Sequence, residues 1–182
     1  MKAIYNTRDR LPQTLDRATT GKSTATIRKF CEEHSSIPRD EGTAYCIGFD
    51  TGDLTYFAFS CPSLLLANAQ GPELVITCDH TDGLCWLGLV TLIIGSINPK
   101  GEFKTVCFAL TTNKKTKSTA AIFDCVKLAV VALGATKGHQ VGGNMEPRTI
   151  VADGAEYFTK AYERVAYKKL SPRESPFRYS AQ

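Results

Sequence analysis

Apolar residues along this chain fall into short runs separated by clusters of turn formers, and the period of the runs identifies the elements. Ala44, Cys46 and Gly48, then Leu54, Tyr56 and Ala58, flank Asp50-Thr51-Gly52-Asp53, which predicts a β-hairpin over 43–61. Pro62 suits the first turn of a helix over 64–69, with Ser60 as its cap and Gly71-Pro72 at its end. Three strands are expected next, over 74–79, 87–97 and 103–111, the last two joined by the turn Asn98-Pro99-Lys100-Gly101. From residue 116 the period becomes helical: Ala120, Ile122, Phe123, Val126, Val130 and Leu133 share one face, and Gly134 is the expected stop. A glycine-rich connector, 138–144, leads to a fourth strand over 148–153 and a helix over 155–167. Before the hairpin, residues 4–30 are polar and basic, helical in parts, and broken at Leu11-Pro12 and Thr19-Thr20-Gly21. Three strands, a helix, a strand and a helix in that order predict an α/β fold. Its mixed sheet is antiparallel first and then crosses over to a parallel strand, as in the first part of an RNase H-like fold.

Composition sharpens this picture in two places. With 43% hydrophobic and 22% charged residues among 182, the chain can bury the core of one globular domain. The net charge of +4 conceals +5 over 1–30, −7 over 31–79, +3 over 80–134 and +3 over 135–182. Basic ends around an acidic stretch are compatible with nucleic-acid contact, although charge runs are more often solvated surface. The seven cysteines, 31, 46, 61, 78, 85, 107 and 125, include no CxxC pair and several lie in apolar runs, so reduced core positions in a reducing compartment are expected. No amino-terminal signal pattern is expected, because the chain is polar from its start. The longest apolar stretch read from the pattern, 84–95, is too short to cross a bilayer, so no membrane partner is expected.

Candidate chemistry lies in two acids, Asp79 and Asp153, each at the end of a predicted core strand. In the predicted topology these strands are neighbours, so both carboxylates reach one edge of the sheet. A hard divalent cation offsets the repulsion between such carboxylates. Two Mg²⁺ roughly 3.5–4 Å apart activate a water or a 3′-hydroxyl and stabilise the leaving oxygen in phosphodiester chemistry. Taken alone, each Asp is read first as a cap of the turn or helix that follows, as Asp153 would be for a segment starting at Ala155, and second as a metal ligand. His80 is read first as a polar residue packed at a strand end, and second as a metal or phosphate contact. His34 and His139 have no partners at zinc-finger spacing. Residues 138–143 lack the Gly-Lys-Ser/Thr ending of a phosphate loop and read as a connector. Trp86 and Phe103 are expected in the sheet core. Lys114, Lys115, Lys117, Lys168, Lys169, Arg173 and Arg178 are candidates for phosphate contact, with solvated loop and tail positions as the plainer reading.

These blocks, in this order, resemble the catalytic domain of Mutator-like (MULE) transposases, members of the RNase H-like DDE superfamily. Lys2-Ala-Ile-Tyr-Asn-Thr-Arg is similar to the segment that precedes their catalytic core. The hairpin, the Asp79 strand, the strand pair with Gly95 and Gly101, residues 103–110 and Arg148-Thr-Ile-Val-Ala-Asp-Gly then follow in the family's order. The resemblance implies that Asp79 and Asp153 are the first and second catalytic and metal-binding acids. It also implies Mg²⁺ or Mn²⁺ as cofactor, the DNA of transposon ends as partner, cleavage and strand transfer as activity, a homo-oligomer and a nuclear location. The chain departs from the pattern in two ways. Asp79-His80-Thr81-Asp82-Gly83 stands where the family has Thr-Tyr and a nearby Asn, and no third acid has a matching context, Glu156, Glu163 and Glu174 included. The expectation is therefore a core truncated before the third acid, weakly active or inactive. The alternative is a domesticated DNA- or protein-binding module. The expected layout is a helical and hairpin extension over 1–70, a partial RNase H-like domain over 71–170 and a disordered tail over 171–182. An uncovered sheet face is expected to favour association.

Overall fold

The computed structural model describes residues 23–68, 75–85, 87–98, 100–137, 149–152 and 156–166. Six strands form one mixed sheet: β1 (Tyr45–Asp50), β2 (Tyr56–Ser60), β3 (Val75–Thr81), β4 (Val90–Ile97), β5 (Phe103–Thr111) and β6 (Thr149–Ala152). Their spatial order is β1-β2-β5-β4-β3-β6, antiparallel at every step except the last, where β3 and β6 run parallel. The expected mixed α/β sheet is thus present, and the hairpin at its amino-terminal side continues it because β2 pairs with β5. The helices are α1 (Thr24–Glu33), α2 (Pro62–Asn68), α3 (Thr116–Lys137) and α4 (Glu156–Ala166).

Alternation along the strands assigns the two faces. Ile76 and Cys78 of β3, Leu92 and Ile94 of β4, and Cys107 and Ala109 of β5 join Leu65 of α2, Ile122, Val126 and Leu133 of α3, and Phe158 and Ala161 of α4 in the main core. α3 is apolar on most of its circumference because it has the sheet beneath it and α4 beside it. Over Thr116–Thr136 it is long and apolar enough to cross a membrane, a length the 84–95 run does not reach, and most of its apolar part is buried inside the fold. The buried Lys127 of α3 donates from Nζ to the Val165 carbonyl, 3.5 Å away in the last turn of α4, where a helix has carbonyls without intrahelical partners. On the other face, α1 covers only the β1–β2 end of the sheet, where Cys31, Cys46, Phe57 and Leu89 form a second, smaller core.

Four local expectations are corrected. Gly134 does not end α3, which runs on to Lys137 with Gly134 buried within it; burial of its neighbours outweighs the roughly 1 kcal/mol that a helical glycine costs. Phe103 is not in the core but 56% exposed, and its ring lies over Gly95 of β4, which has no side chain to cover that patch. β3 runs two residues past Asp79, to Thr81, because its pairing with β4 continues through His80 and Thr81. Ser60 does not cap α2. Its hydroxyl donates to the Val106 carbonyl at 2.6 Å, beside the irregularity in the β4–β5 ladder, while the Cys61 carbonyl accepts from Leu65 N–H at 3.2 Å. Ser60→Ala would leave that buried carbonyl without this donor and is expected to cost about 1–3 kcal/mol in urea unfolding. No measurable change would show the bond to be immaterial.

The turn between β4 and β5 is built as its composition predicts. Asn98 Oδ1 accepts from the N–H groups of Lys100 (3.0 Å) and Glu102 (2.9 Å), and Gly101 sits at φ +81°, where a side chain would be strained. Trp86, the 138–144 connector, Lys168, Lys169, Arg173, Arg178, Glu174, His139, residues 1–22 and the 171–182 tail lie outside the described residues.

Candidate functional site

Strands β3, β5 and β6 all end at the same edge of the sheet, since β3 and β5 both run antiparallel to β4 and β6 runs parallel to β3. Asp79 lies at this edge, on the face opposite α3 and α4, and is exposed. Its Oδ2 accepts from Thr81 Oγ1 at 3.3 Å. Asp153 lies outside the described residues. Both of its flanks, however, are anchored on the neighbours of Asp79. Ala152 is in register with Cys78, and Tyr157 and Phe158 of α4 pack on His80.

His80 is the buried member of this edge, 7% exposed, as expected of a polar residue packed at a strand end. Its Nδ1 is 2.9 Å from the Tyr157 hydroxyl, and its ring stacks on Phe158 with centroids 4.9 Å apart and planes 19° from parallel. Alternation therefore divides the labour between adjacent residues. Asp79 meets solvent on one face while His80 clamps α4 on the other.

Loops complete the edge. Lys114, before α3, holds Asp82, after β3, at 2.6 Å, so one of the five lysines named as candidates for phosphate contact is already paired with a carboxylate. Asn113 Oδ1 accepts from Lys115 N–H at 3.1 Å and from Ser118 Oγ at 2.9 Å, which folds the chain into the start of α3. Lys115 and Lys117 are exposed there. On the face that carries Asp79, one row crosses four strands in register: Asp79, Ile93, Phe108 and Phe59. Phe108 is 41% exposed, and Val151 on β6 is 51% exposed.

No family model, curated protein or solved structure matches this chain. Its chemistry is therefore read from the edge itself. Among the described residues, no group of three His, Cys, Asp or Glu side chains is placed to hold a metal ion. Asp79 is the one described carboxylate of the expected pair. Glu156 and Glu163, both on α4, are exposed, and Glu156 pairs with Lys160 at 2.7 Å.

Sequence reasoning located Asp79 but did not anticipate the His80–Tyr157–Phe158 clamp, the Lys114–Asp82 pair or the Asn113 turn. The first two join residues 77 and 32 positions apart, and no periodic pattern marks such contacts. The only local signal was an aromatic pair, Tyr157-Phe158, four residues beyond Asp153.

Proposed function

We propose that this chain is a Mutator-like transposase core of the RNase H type, in which Asp79 and Asp153 together bind one Mg²⁺ or Mn²⁺ and DNA runs along the edge where β3, β5 and β6 end. The observation that supports the reading best is the parallel β3–β6 pair in register through Cys78 and Ala152, the residues directly before the two acids. The order β5-β4-β3-β6, three antiparallel strands and then a parallel one reached through α3, is the arrangement the RNase H reading requires. Two carboxylates suffice to attract a hard cation, but two-metal chemistry needs more ligands. Strand cleavage is accordingly weak or nil, and DNA retention is the main activity of the chain in isolation. Lys115 and Lys117 are the described cations best placed to meet phosphate, Lys114 being engaged with Asp82.

A second reading, a module that binds a protein partner without catalysis, is favoured by the apolar row beside Asp79, in which Phe108 is exposed and Ile93 and Phe59 are half-buried, since apolar surface on a sheet face marks interaction sites.

The deciding experiment titrates Mn²⁺ into the full chain by calorimetry and follows cleavage of labelled duplex DNA. Weak binding of one ion is expected, abolished by Asp79→Asn and by Asp153→Asn, with any cleavage lost in Asp153→Ala. Ion binding that survives both substitutions would sink the two-acid site. DNA binding that is salt-sensitive but indifferent to metal and to both variants would leave the non-catalytic module as the correct reading.

A further inference from the structure

The smaller core between α1 and the sheet contains two thiols. Cys31, in the last turn of α1, and Cys46, at the start of β1, are both fully buried in one small cluster with Phe57 and Leu89. The backbone holds the same two elements together: Cys46 N–H donates to the His34 carbonyl at the end of α1, at 2.8 Å. Neither forms a disulfide.

Their environments are unequal. The neighbouring Cys46 side chain holds the Cys31 thiol below the usual range, against the opposing effect of burial. The Cys31 side chain, with burial, pushes Cys46 up, and the Cys46 thiol donates to the Gly48 carbonyl at 3.5 Å. Cys31 is therefore the sulfur readier to ionise, and Cys46 keeps its proton. Attack by sulfur requires the thiolate. Elsewhere in the core burial works alone or nearly so: it pushes Cys78 up to about 12 and Cys125 to about 11, which leaves those thiols unreactive.

We propose that Cys31 and Cys46 are a modification site, a dithiol that hydrogen peroxide converts to a disulfide stapling α1 to β1. The Cys31 thiolate attacks one peroxide oxygen, the O–O bond breaks, and the hydroxide that leaves takes up the proton Cys31 had released. Cys31 is now a sulfenic acid. The Cys46 sulfur attacks the Cys31 sulfur, the S–O bond breaks, and the Cys46 proton leaves with the hydroxyl as water. Two thiols lose two electrons and two protons, and one peroxide becomes two waters.

Burial does not bar the reaction, because α1 is the least secured helix. Eight of its ten residues are exposed, Ile27 is half-buried and Cys31 alone is buried. Elements held by so few apolar contacts open locally without global unfolding, and a small oxidant enters when they do. Once formed, the link closes a loop of 16 residues, from 31 to 46, and loop entropy predicts that α1 opens about a hundredfold less often. Phe30 of α1 reaches Phe59, with centroids 6.3 Å apart, so the staple also fixes one border of the apolar row that carries Phe108.

The test is peptide mapping of the reduced full chain after hydrogen peroxide, with iodoacetamide blocking every remaining thiol. The expected product is a Cys31–Cys46 linked peptide with the other five cysteines alkylated, and α1 amides exchanging hydrogen about a hundredfold more slowly. Cys46→Ala should leave Cys31 trapped as a sulfenic acid that dimedone labels, whereas Cys31→Ala should leave Cys46 alkylated. Mapping needs only the unaltered chain, so the result stands even where a variant folds poorly. Oxidation of other cysteines while Cys31 and Cys46 remain alkylated would overturn the proposal, as would a link from Cys31 to any other cysteine. It would equally be overturned if neither thiol oxidised at a peroxide dose that consumes free cysteine.

Discussion

Phe158→Ala is expected to lower unfolding free energy by about 3–5 kcal/mol, the cost of removing a buried aromatic ring and leaving a cavity. The ring is fully buried, lies in the main core and stacks on His80 while also contacting Tyr157 at 4.6 Å. Domains of this kind have only about 5–15 kcal/mol in total, so the variant should unfold at much lower urea and be partly unfolded near 37 °C. A second readout tests the site. At a temperature where the variant remains folded, the proposed two-acid site requires Mn²⁺ binding to weaken, because Phe158 helps to clamp α4, which begins three residues after Asp153. Tyr157→Phe keeps the ring and removes the hydroxyl 2.9 Å from His80 Nδ1, so its stability cost should be nearer 1 kcal/mol. A Phe158→Ala penalty under 1 kcal/mol would mean that α4 does not dock over His80 as described.

That contrast also shows what the sequence could convey. β5 runs from Phe103 to Thr111 as its period indicates, the turn before it uses Asn98 and Gly101 in their expected roles, and the apolar face of α3 is buried at Ile122, Phe123, Val126, Val130 and Leu133. These are local properties: alternation, helical spacing and turn chemistry act within a few residues. Gly134 and Phe103 misled for a shared reason. A glycine inside a buried helix and a phenylalanine placed over another strand's glycine both owe their state to neighbours distant in sequence. The same limit applied to the candidate site. Asp79 was legible because it closes an apolar run, whereas the register that aligns Cys78 with Ala152, and the choice of His80 as the anchor of α4, follow from packing across 74 and 77 residues.

Gly48 supplies the sharpest test of how the hairpin joins the main core. A Cβ at this position of β1 would overlap the Cys125 sulfur of α3 and come within 3.0 Å of the Cys125 Cβ, so the helix sits directly on bare backbone. Chain propensity opposes glycine here, because alanine in a strand loses less conformational entropy on folding and would by itself be favoured by roughly 0.5–1 kcal/mol. Overpacking acts in the other direction and typically costs about 1–3 kcal/mol. Backbone and helix both resist displacement, since Gly48 is held in register with Ala58 and the Cys125 thiol meets the Tyr56 hydroxyl at 3.4 Å. The net expectation for Gly48→Ala is a loss of about 2 kcal/mol or more in urea unfolding. Cys125→Ala alone should lose roughly 1 kcal/mol through a small cavity. In combination the two should cost less than their sum by about 1 kcal/mol or more, because removing the sulfur opens the space that the new methyl group fills. Additive costs would mean that α3 does not rest on Gly48; a stabilised Gly48→Ala would mean that chain entropy, and not the approach of the helix, governs that position.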